Sequence, residues 1–524
     1  MRNLPLVLNR LKLSHINRVL NRLSLSYLWA MFFLYSVSVG LLVQFFILPI
    51  LLPQYHMGNG LLDGGDWTVY HLRGVQFARD INELGWSAWE LRPRGFGIIG
   101  FVSAVYAFTG IYEPFVLIPF FAMLHSIGTI CIVGIICRFG VGKSFAVISA
   151  LPFLMFPSSL LWVTQILKDG FAINGCLLIL FGLIKFTDVP LSEKALDIIK
   201  GKLLPILYIS IGLVLIWVIR PHFLTICIIF IALIFLLTIM SHLISAASKK
   251  IRFSSCMLIL LTQIMFLTLA VSLESYQRLI INVDKVSDGH NNAQFLLSDD
   301  AINNANLKNS GNANLKNSGN ANLKNSGNAN LKNSGMLVPQ PTESLLSSIP
   351  QPHTLRDQDW INSLILPSAI DYQFRRIYAH RMYFLYIQAD ANTTVDVDYS
   401  LNSAQKMIGY IPRATQIAFL SPFPRSWFKK HPTSFANLTH AVLGIEMTLI
   451  YVCLIGVFVA GWFWIKKLEL WIILAFSFYF ALIQTYVFPN IGALVRYRYA
   501  ALMILVAVGI AAFYHMKNRK SYIL

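Results

Sequence analysis

Residues 23–62 contain no Asp, Glu, Lys or Arg, and this run of 40 residues constrains the fold more than any other feature of the chain. About 20 apolar residues in a helix are enough to cross the hydrocarbon core of a bilayer. Similar segments recur along the sequence, in which 56% of residues are hydrophobic and only 13% are charged. Soluble domains usually carry about 25% charged residues. The sequence therefore predicts an all-α polytopic membrane protein.

A basic segment precedes the first apolar run and contains no acidic residue. Its charged residues are Arg2, Arg10, Lys12, Arg18 and Arg22. The apolar run is too long for a signal-peptide core, so we interpret it as an uncleaved first span at about 28–51. Basic residues that flank a span favour the cytoplasm. We therefore expect residues 1–27 to be cytoplasmic and the loop 52–114 to lie outside.

The placement of later Lys and Arg clusters predicts how many spans follow. Ten spans are expected, at about 28–51, 115–137, 144–162, 170–187, 203–219, 223–241, 254–273, 437–464, 469–488 and 498–515. The apolar stretch 95–111 is only marginally long enough to cross. If it crossed, every later basic cluster would fall outside. We therefore expect a membrane-dipping external helix at 95–111, a membrane domain at 28–273 and 437–515, and a cytoplasmic tail at 516–524.

The long polar segment 274–436 is expected to form a large external loop. Within it, residues 304–335 are four identical copies of Asn-Ala-Asn-Leu-Lys-Asn-Ser-Gly. One leucine in eight residues cannot bury a core, so this tract is expected to be disordered, and we assign it no function. The remainder, about 340–436, carries aromatic and mixed charged residues that could form a small cap. The alternation at 395–399 indicates a short strand there.

Charge and cysteine content exclude two further classes. The net charge of +18 is carried by residues at span ends, where they face anionic membrane lipids, and no soluble module holds it. Nucleic acid is therefore not an expected partner. All six cysteines lie in apolar segments, so no disulfide framework is implied. Glu446 is the only acid in the interior of a span, away from its ends, which makes it either a functional residue or a buried structural hydrogen-bonding group.

The expected external ends of the spans collect charged residues that topology does not explain. They are Asp63, Asp66, His71, Arg73, Arg92, Arg94, Lys168, Asp169, Arg220, His222, Arg496 and Arg498. Arg presents a fork of donors, and Lys a point charge, to phosphate oxygens. A carboxylate nearby can act as a general base or a metal ligand. The set indicates a site for a membrane-embedded phosphate.

Each of these residues also has a structural interpretation. A single basic residue at a span end can extend to a lipid headgroup. Asp66 follows Gly64-Gly65, where the backbone can approach a ligand closely, but it also suits the N-cap of a helix starting near Thr68. Asp169, directly after Lys168, equally suits the first turn of a helix. Taken as a group, these residues favour a functional site over a set of separate structural roles.

Four short stretches carry a resemblance to a known family. They are Asp66-Trp67-Thr68-Val69-Tyr70; Arg92-Pro93-Arg94-Gly95-Phe96-Gly97; Pro157-Ser158-Ser159 with Trp162, Gln165 and Lys168-Asp169; and Asn490-Ile491-Gly492 with Arg496-Tyr497-Arg498. These stretches resemble the GT-C superfamily of integral membrane glycosyltransferases, which includes protein O-mannosyltransferase-like enzymes and the aminoarabinose transferase of lipid A. The resemblance covers roughly residues 25–190 and, more loosely, the last spans.

The resemblance implies inverting transfer of a hexosyl or pentosyl group from a polyprenyl-phosphate sugar to a lipid, glycan or protein acceptor. The site would face the periplasm or exterior of a bacterial inner membrane. Asp66 or Asp63 would act as base or orient the acceptor, and Asp169 would assist or bind a divalent cation as a candidate cofactor. The substrate-binding set would be Tyr70, His71, Arg92, Arg94, Gln165, Lys168, Arg220, His222, Arg496 and Arg498. The chain departs from the family in its single acid after Gly65 and in the position of its large loop.

Two other functions remain open at this point. An O-antigen-type polysaccharide polymerase or ligase would also have about ten spans and a large external loop, and its essential residues would concentrate in 340–436. A transporter or flippase would place functional charge near mid-membrane and repeat its spans. Only Glu446 meets the first condition, and no repeat of spans is visible in the sequence.

Overall fold

The computed structural model describes residues 19–188, 195–248, 359–387, 393–428 and 434–520. These residues are predominantly helical, with only one two-stranded sheet among them. The expected span at 254–273 and the repeats at 304–335 lie outside the described residues.

The helices that build the bundle are numbered here in chain order. In the N-terminal half they are α1 (Leu25–Leu42), α2 (Asp66–Leu84), α3 (Gly97–Thr109), α4 (Ile118–Cys137), α5 (Lys143–Met155), α6 (Pro157–Thr164), α7 (Asp169–Asp188), α8 (Ala195–Ile219) and α9 (Pro221–Ser248). In the C-terminal half they are α10 (Ser368–Ile387), α11 (Ala404–Gly409), α12 (Ile411–Leu420), α13 (Pro424–Trp427), α14 (Ser434–Trp464), α15 (Leu468–Val487), α16 (Ile491–Tyr497) and α17 (Tyr499–Lys520).

Eight described segments are long and apolar enough to cross a membrane. They are Leu25–Leu51, Pro114–Cys137, Asp169–Thr187, Lys200–Ile219, Pro221–Thr238, Asn437–Trp464, Leu468–Val487 and Tyr499–Asn518. Helices α5 and α6 pass the same test as a pair bent by 66°. The chain is therefore an integral, all-α polytopic membrane protein, as predicted. The total of ten spans, which includes 254–273, stays a prediction.

The apolar stretch 95–111 forms the short helix α3. Its 13 residues span about 20 Å, well short of the roughly 30 Å hydrocarbon core. It packs along α2, where Gly74 provides the space: a Cβ there would lie 2.3 Å from Val102 Cγ1. Val102 and Tyr106 are fully buried in this contact region. The length of α3 agrees with a helix that does not cross by itself.

A tight hairpin connects the first span to α2. Helix α1 continues as a π-helical segment, Val43–Leu51, and the chain then forms strands β1 (His56–Gly58) and β2 (Leu61–Leu62). The two residues between the strands, Asn59 and Gly60, both have positive φ, as the favoured two-residue hairpin turns require. The hairpin delivers the chain to Asp66, the first residue of α2.

The break between α5 and α6 directs the chain toward the start of α7. Phe156 precedes a proline and is extended, with ψ of 136°, because a following proline disfavours the helical conformation. Pro157 then occupies the first position of α6, where its missing N–H is not needed. After α6 ends at Thr164, only four residues remain before Asp169 begins α7.

Two lysines bind backbone carbonyls at the N-terminal end of α1 and at the C-terminal end of α4. Lys143 Nζ lies 2.5 Å from the Leu23 carbonyl, just before α1, and Lys467 Nζ lies 2.8 Å from the Arg138 carbonyl, just after α4. The first contact joins the start of α5 to the residues before α1, and the second joins the connection between α14 and α15 to the end of α4. They lie at the end expected from the sequence to be cytoplasmic.

The chain divides into two compact units. The first contains Met1–Asn292, Arg413–Thr485 and Asn490–Leu524, and the second contains Ala293–Pro412 and Tyr486–Pro489. In the second unit, buried Arg381 donates to the Asp396 carbonyl at 3.0 Å, and the Tyr410 hydroxyl lies 2.7 Å from Asp396 Oδ2. The strand expected at 395–399 is wrong. Asp396 has a φ of 52°, which turns the backbone there instead of extending it.

Cysteine labelling tests whether α3 crosses. Asp63, Arg138 and Lys466 are exposed, and each can be replaced by cysteine in a cysteine-free background. We expect a membrane-impermeant maleimide added to intact cells to label position 63, and to label positions 138 and 466 only after permeabilisation. External labelling at both 63 and 138 would show that α3 adds a crossing.

Candidate functional site

Two carboxylates and two guanidinium groups from four separate elements meet at one end of the helical bundle. Asp66 and Asp169 begin α2 and α7, Arg220 lies between α8 and α9, and Arg496 lies in the last turn of α16. Asp169 is ion-paired with Arg220. Arg496 Nη1 lies 3.3 Å from Asp66 Oδ2 and 3.6 Å from Asp169 Oδ2. One arginine therefore bridges the two acids.

The pair of Asp169 and Arg220 forms the buried half of this cluster. Both side chains are only 2% exposed. The Arg220 guanidinium also lies 4.2 Å from the centre of the Tyr497 ring, close enough for a cation–π contact. Removing one partner of a buried ion pair typically costs about 3–5 kcal/mol because the other charge is left uncompensated. The pair therefore fixes the start of α7 against the junction of α8 and α9.

Asp66 and Arg496 form the accessible half. The Asp66 side chain is 50% exposed and that of Arg496 is 31% exposed. Burial acts to lower the pKa of Arg496, but Asp169, Tyr497 and Asp66 raise it overall, so the guanidinium stays charged. Asp66 is the first helical residue of α2 and Gly65 occupies the N-cap position, so the N-cap expected at Asp66 is wrong. The Asp66 carboxylate lies at the helix N-terminus, where it contacts Arg496.

A cavity of about 160 Å³ opens beside the buried pair. Its lining residues are Gly95, Phe96, Gly97, Ile98, Lys168, Ile219, Arg220, Pro221 and His222. Lys168 Nζ lies 5.6 Å from the centre of the Tyr70 ring and 5.7 Å from that of Phe96. Burial, together with the Arg220 charge, lowers the pKa of Lys168 to about 8, and Asp169 and Asp66 partly oppose this shift.

The electrostatics of this region favour an anion. Lys168, Arg220 and Arg496 contribute three positive charges against two from Asp66 and Asp169, which leaves one net positive charge. Arg220 Nε is buried and has no hydrogen-bond partner among the described residues. A phosphate in the cavity would meet Lys168 and Arg220 directly, and charge-assisted hydrogen bonds of this kind are the strong ones.

Metal binding fits this site less well. Among the described residues, no three His, Cys, Asp or Glu side chains come together as a metal-binding group. Asp66 and Asp169 are both paired with arginines, which compete with a cation for the same oxygens. The residues present do not fit a divalent cation, and we assign no chemical step to one.

Six expected site residues lie outside the charged cluster. Arg73 is 4% exposed and donates to Gln76 Oε1 at 2.9 Å within α2. His71 Nδ1 lies 2.9 Å from the Tyr106 hydroxyl, and burial lowers the pKa of His71 to about 4, so the ring is neutral and packs between α2 and α3. Arg92 Nε donates to the Val218 carbonyl at 3.0 Å. Asp63 is exposed and makes no ion pair in the described part of the chain.

Arg498 and Gln165 are likewise used within the protein. Arg498 is 1% exposed and donates to the carbonyls of Ile417, Ala418 and Ser421. Gln165 Oε1 accepts from Leu62 N at 2.9 Å, and its Nε2 lies 3.3 Å from the Gly60 carbonyl. Both residues hold backbone segments of the bundle in place.

The remaining expected residues lie at the cavity or next to its lining. Tyr70 is buried, with its ring centre 5.6 Å from Lys168 Nζ, and His222 is an exposed part of the cavity lining. The backbone of Arg94 lies in a 3-10 turn, Pro93–Gly95, beside the cavity, and its side chain is outside the described part. Tyr497 was not predicted. The position of Tyr497 between two arginines in the sequence is the signal that could have identified it.

No protein-family model matches this chain, and neither a curated protein nor a solved structure matches it.

Proposed function

We propose that this protein is a membrane glycosyltransferase that moves a sugar from a polyprenyl-phosphate donor to a lipid, glycan or protein acceptor at the external membrane face. One observation carries the proposal. A half-exposed carboxylate, Asp66, is joined through Arg496 to a buried ion pair, and that pair borders a cavity lined by Lys168 and Arg220.

The donor would bind through its phosphate. Lys168 and Arg220 line the cavity at the ends of apolar helices, where a phosphate attached to a membrane-embedded chain would lie. Gly95 leaves open space at the cavity wall, and Gly97 lets α3 approach the Val218 carbonyl, where a Cβ would lie 2.1 Å from the oxygen. A lipid donor explains why the anion site lies at the ends of membrane-spanning helices.

The reaction follows from the arrangement of charges. Asp66 accepts the proton of the acceptor hydroxyl, and the acceptor oxygen forms a bond to the anomeric carbon of the sugar as the bond from that carbon to the phosphate oxygen breaks. Polyprenyl phosphate leaves with its charge paired by Lys168, Arg220 and Arg496. Fixed charges aimed at a developing negative charge are usually the largest contribution to catalysis.

The geometry favours Asp66 over Asp63 as the base. Asp66 contacts Arg496, which also reaches Asp169, whereas Asp63 makes no ion pair among the described residues. Asp169 is too buried to meet an acceptor hydroxyl, since its side chain is 2% exposed. We therefore assign Asp169 the role of orienting Arg220 and Arg496.

Matched substitutions of the two loop acids test the proposal. Asp66→Asn is expected to lower kcat about 10²–10⁴-fold, the usual contribution of a general base, because the amide cannot accept the proton. Asp63→Asn removes another exposed carboxylate three residues away and serves as the control, with near-normal activity. The measurement is transfer from labelled polyprenyl-phosphate sugars in membranes that contain each variant. Full activity of Asp66→Asn would exclude Asp66 as the base.

The pH dependence of donor use tests the role of Lys168. Because its pKa is lowered to about 8, the amine is charged below that pH and neutral above it. We expect kcat/KM for the donor to fall as the pH rises through about 8 in the wild type. Lys168→Arg should remove that fall, because Arg stays protonated. Identical pH profiles for the two proteins would contradict a phosphate contact from Lys168.

A further inference from the structure

A buried glutamate from a distant part of the chain binds the N-terminus of α6. Glu446 is 4% exposed within α14. Its Oε1 accepts from Ser158 N at 2.9 Å, and its Oε2 accepts from Ser158 Oγ at 2.6 Å. Both carboxylate oxygens are thus used on the second residue of α6.

The bend before α6 explains why a carboxylate is needed there. The first N–H groups of any helix lack partners within the helix. In α6 the residue at the N-cap position is Phe156, which makes no capping hydrogen bond with its side chain. A negative charge near a helix N-terminus is stabilised by the helix dipole. Glu446 provides from another span what Phe156 cannot.

Tyr499 extends this network to a third helix. The single hydroxyl proton of Ser158 is used on Glu446, so the Tyr499 hydroxyl, 3.1 Å away, donates to Ser158 Oγ. Tyr499 begins α17, three residues after Arg496. The network therefore connects α6 to the segment that carries the bridging arginine.

The opposite end of α6 holds the segment that carries Asp66. The Thr164 carbonyl accepts from Gln44 Nε2 at 2.7 Å, and Gln165 accepts from Leu62 N. The Leu62 carbonyl in turn accepts from Trp67 Nε1 at 2.5 Å, next to Asp66. Helix α6 thus lies between the Glu446 network and the hairpin that leads to the proposed base.

We propose that Glu446, with Ser158 and Tyr499, positions Asp66 and Arg496 for catalysis by fixing the orientation of α6 and the start of α17. Glu446 does not touch the substrate and acts as a positioning residue. The expected effect on kcat rests on the proposed function. The expected effect on the structure rests only on the hydrogen-bond geometry.

The kinetic experiment uses Glu446→Gln. Glutamine keeps one acceptor oxygen, but its amide nitrogen cannot accept from Ser158 Oγ. We expect kcat to fall about 10²-fold, the effect of misplacing reacting groups by about 1 Å, while the donor KM changes little. Glu446→Asp keeps the charge and should recover part of kcat. Ser158→Ala should resemble Glu446→Gln, and the double variant should be no worse than the more severe single variant, because both remove the same contact.

Ser149→Ala is the matched control. Ser149 is also buried and lies in α5, the other half of the bent pair, but its hydroxyl donates only within its own helix, to the Phe145 carbonyl at 2.8 Å. We expect this variant to keep near-normal kcat and KM.

Amide hydrogen exchange of the full-length protein in detergent tests the positioning without any assay of transfer. In Glu446→Gln and Ser158→Ala, exchange should accelerate at residues 60–68 and 157–168 and stay unchanged along α4. Equal acceleration everywhere, or none at 60–68, would overturn the inference. If the wild type transfers no sugar but the exchange pattern is as expected, the proposed function fails and the positioning network stands.

Discussion

The buried ion pair between Asp169 and Arg220 is the interaction on which the rest of the site depends. Two charges in an apolar bundle cost several kcal/mol each unless they are paired. Their pairing fixes the start of α7 against the junction of α8 and α9. Arg496 then reaches Asp169 at 3.6 Å and Asp66 at 3.3 Å, so the second acid is positioned by the first.

The two carboxylates lie in different environments. Asp169 has a 2% exposed side chain and is bound to Arg220, whereas Asp66 has a 50% exposed side chain and a single contact with Arg496. Two acids in one site are commonly separated in this way by their surroundings. In the function we propose, the buried acid orients the cations that hold the donor phosphate, and the accessible acid meets the acceptor.

Much of the fold and part of the site follow from the sequence alone. Charge placement located the described spans and identified 95–111 as a short helix, because apolar length and flanking charge are local properties. It also grouped Asp66, Asp169, Arg220 and Arg496 by assigning them to one side of the membrane, and the structure brings these four together.

The contacts of individual side chains could not be predicted in this way. Arg498 lies two residues after Arg496 and reaches backbone carbonyls near position 420, because residues two apart on a helical segment face different directions. The partner of Glu446 lies 288 residues away, and only the tertiary fold brings the two together.

Binding of a water-soluble short-chain polyprenyl phosphate to the purified protein, measured by calorimetry, tests the central claim most directly. We predict saturable binding that weakens about tenfold or more in Arg496→Gln or Lys168→Met, that is unchanged in Arg138→Gln at the other end of the bundle, and that is lost for the corresponding alcohol without phosphate. Equal affinity for the alcohol, or unchanged affinity in the site variants, would contradict the account.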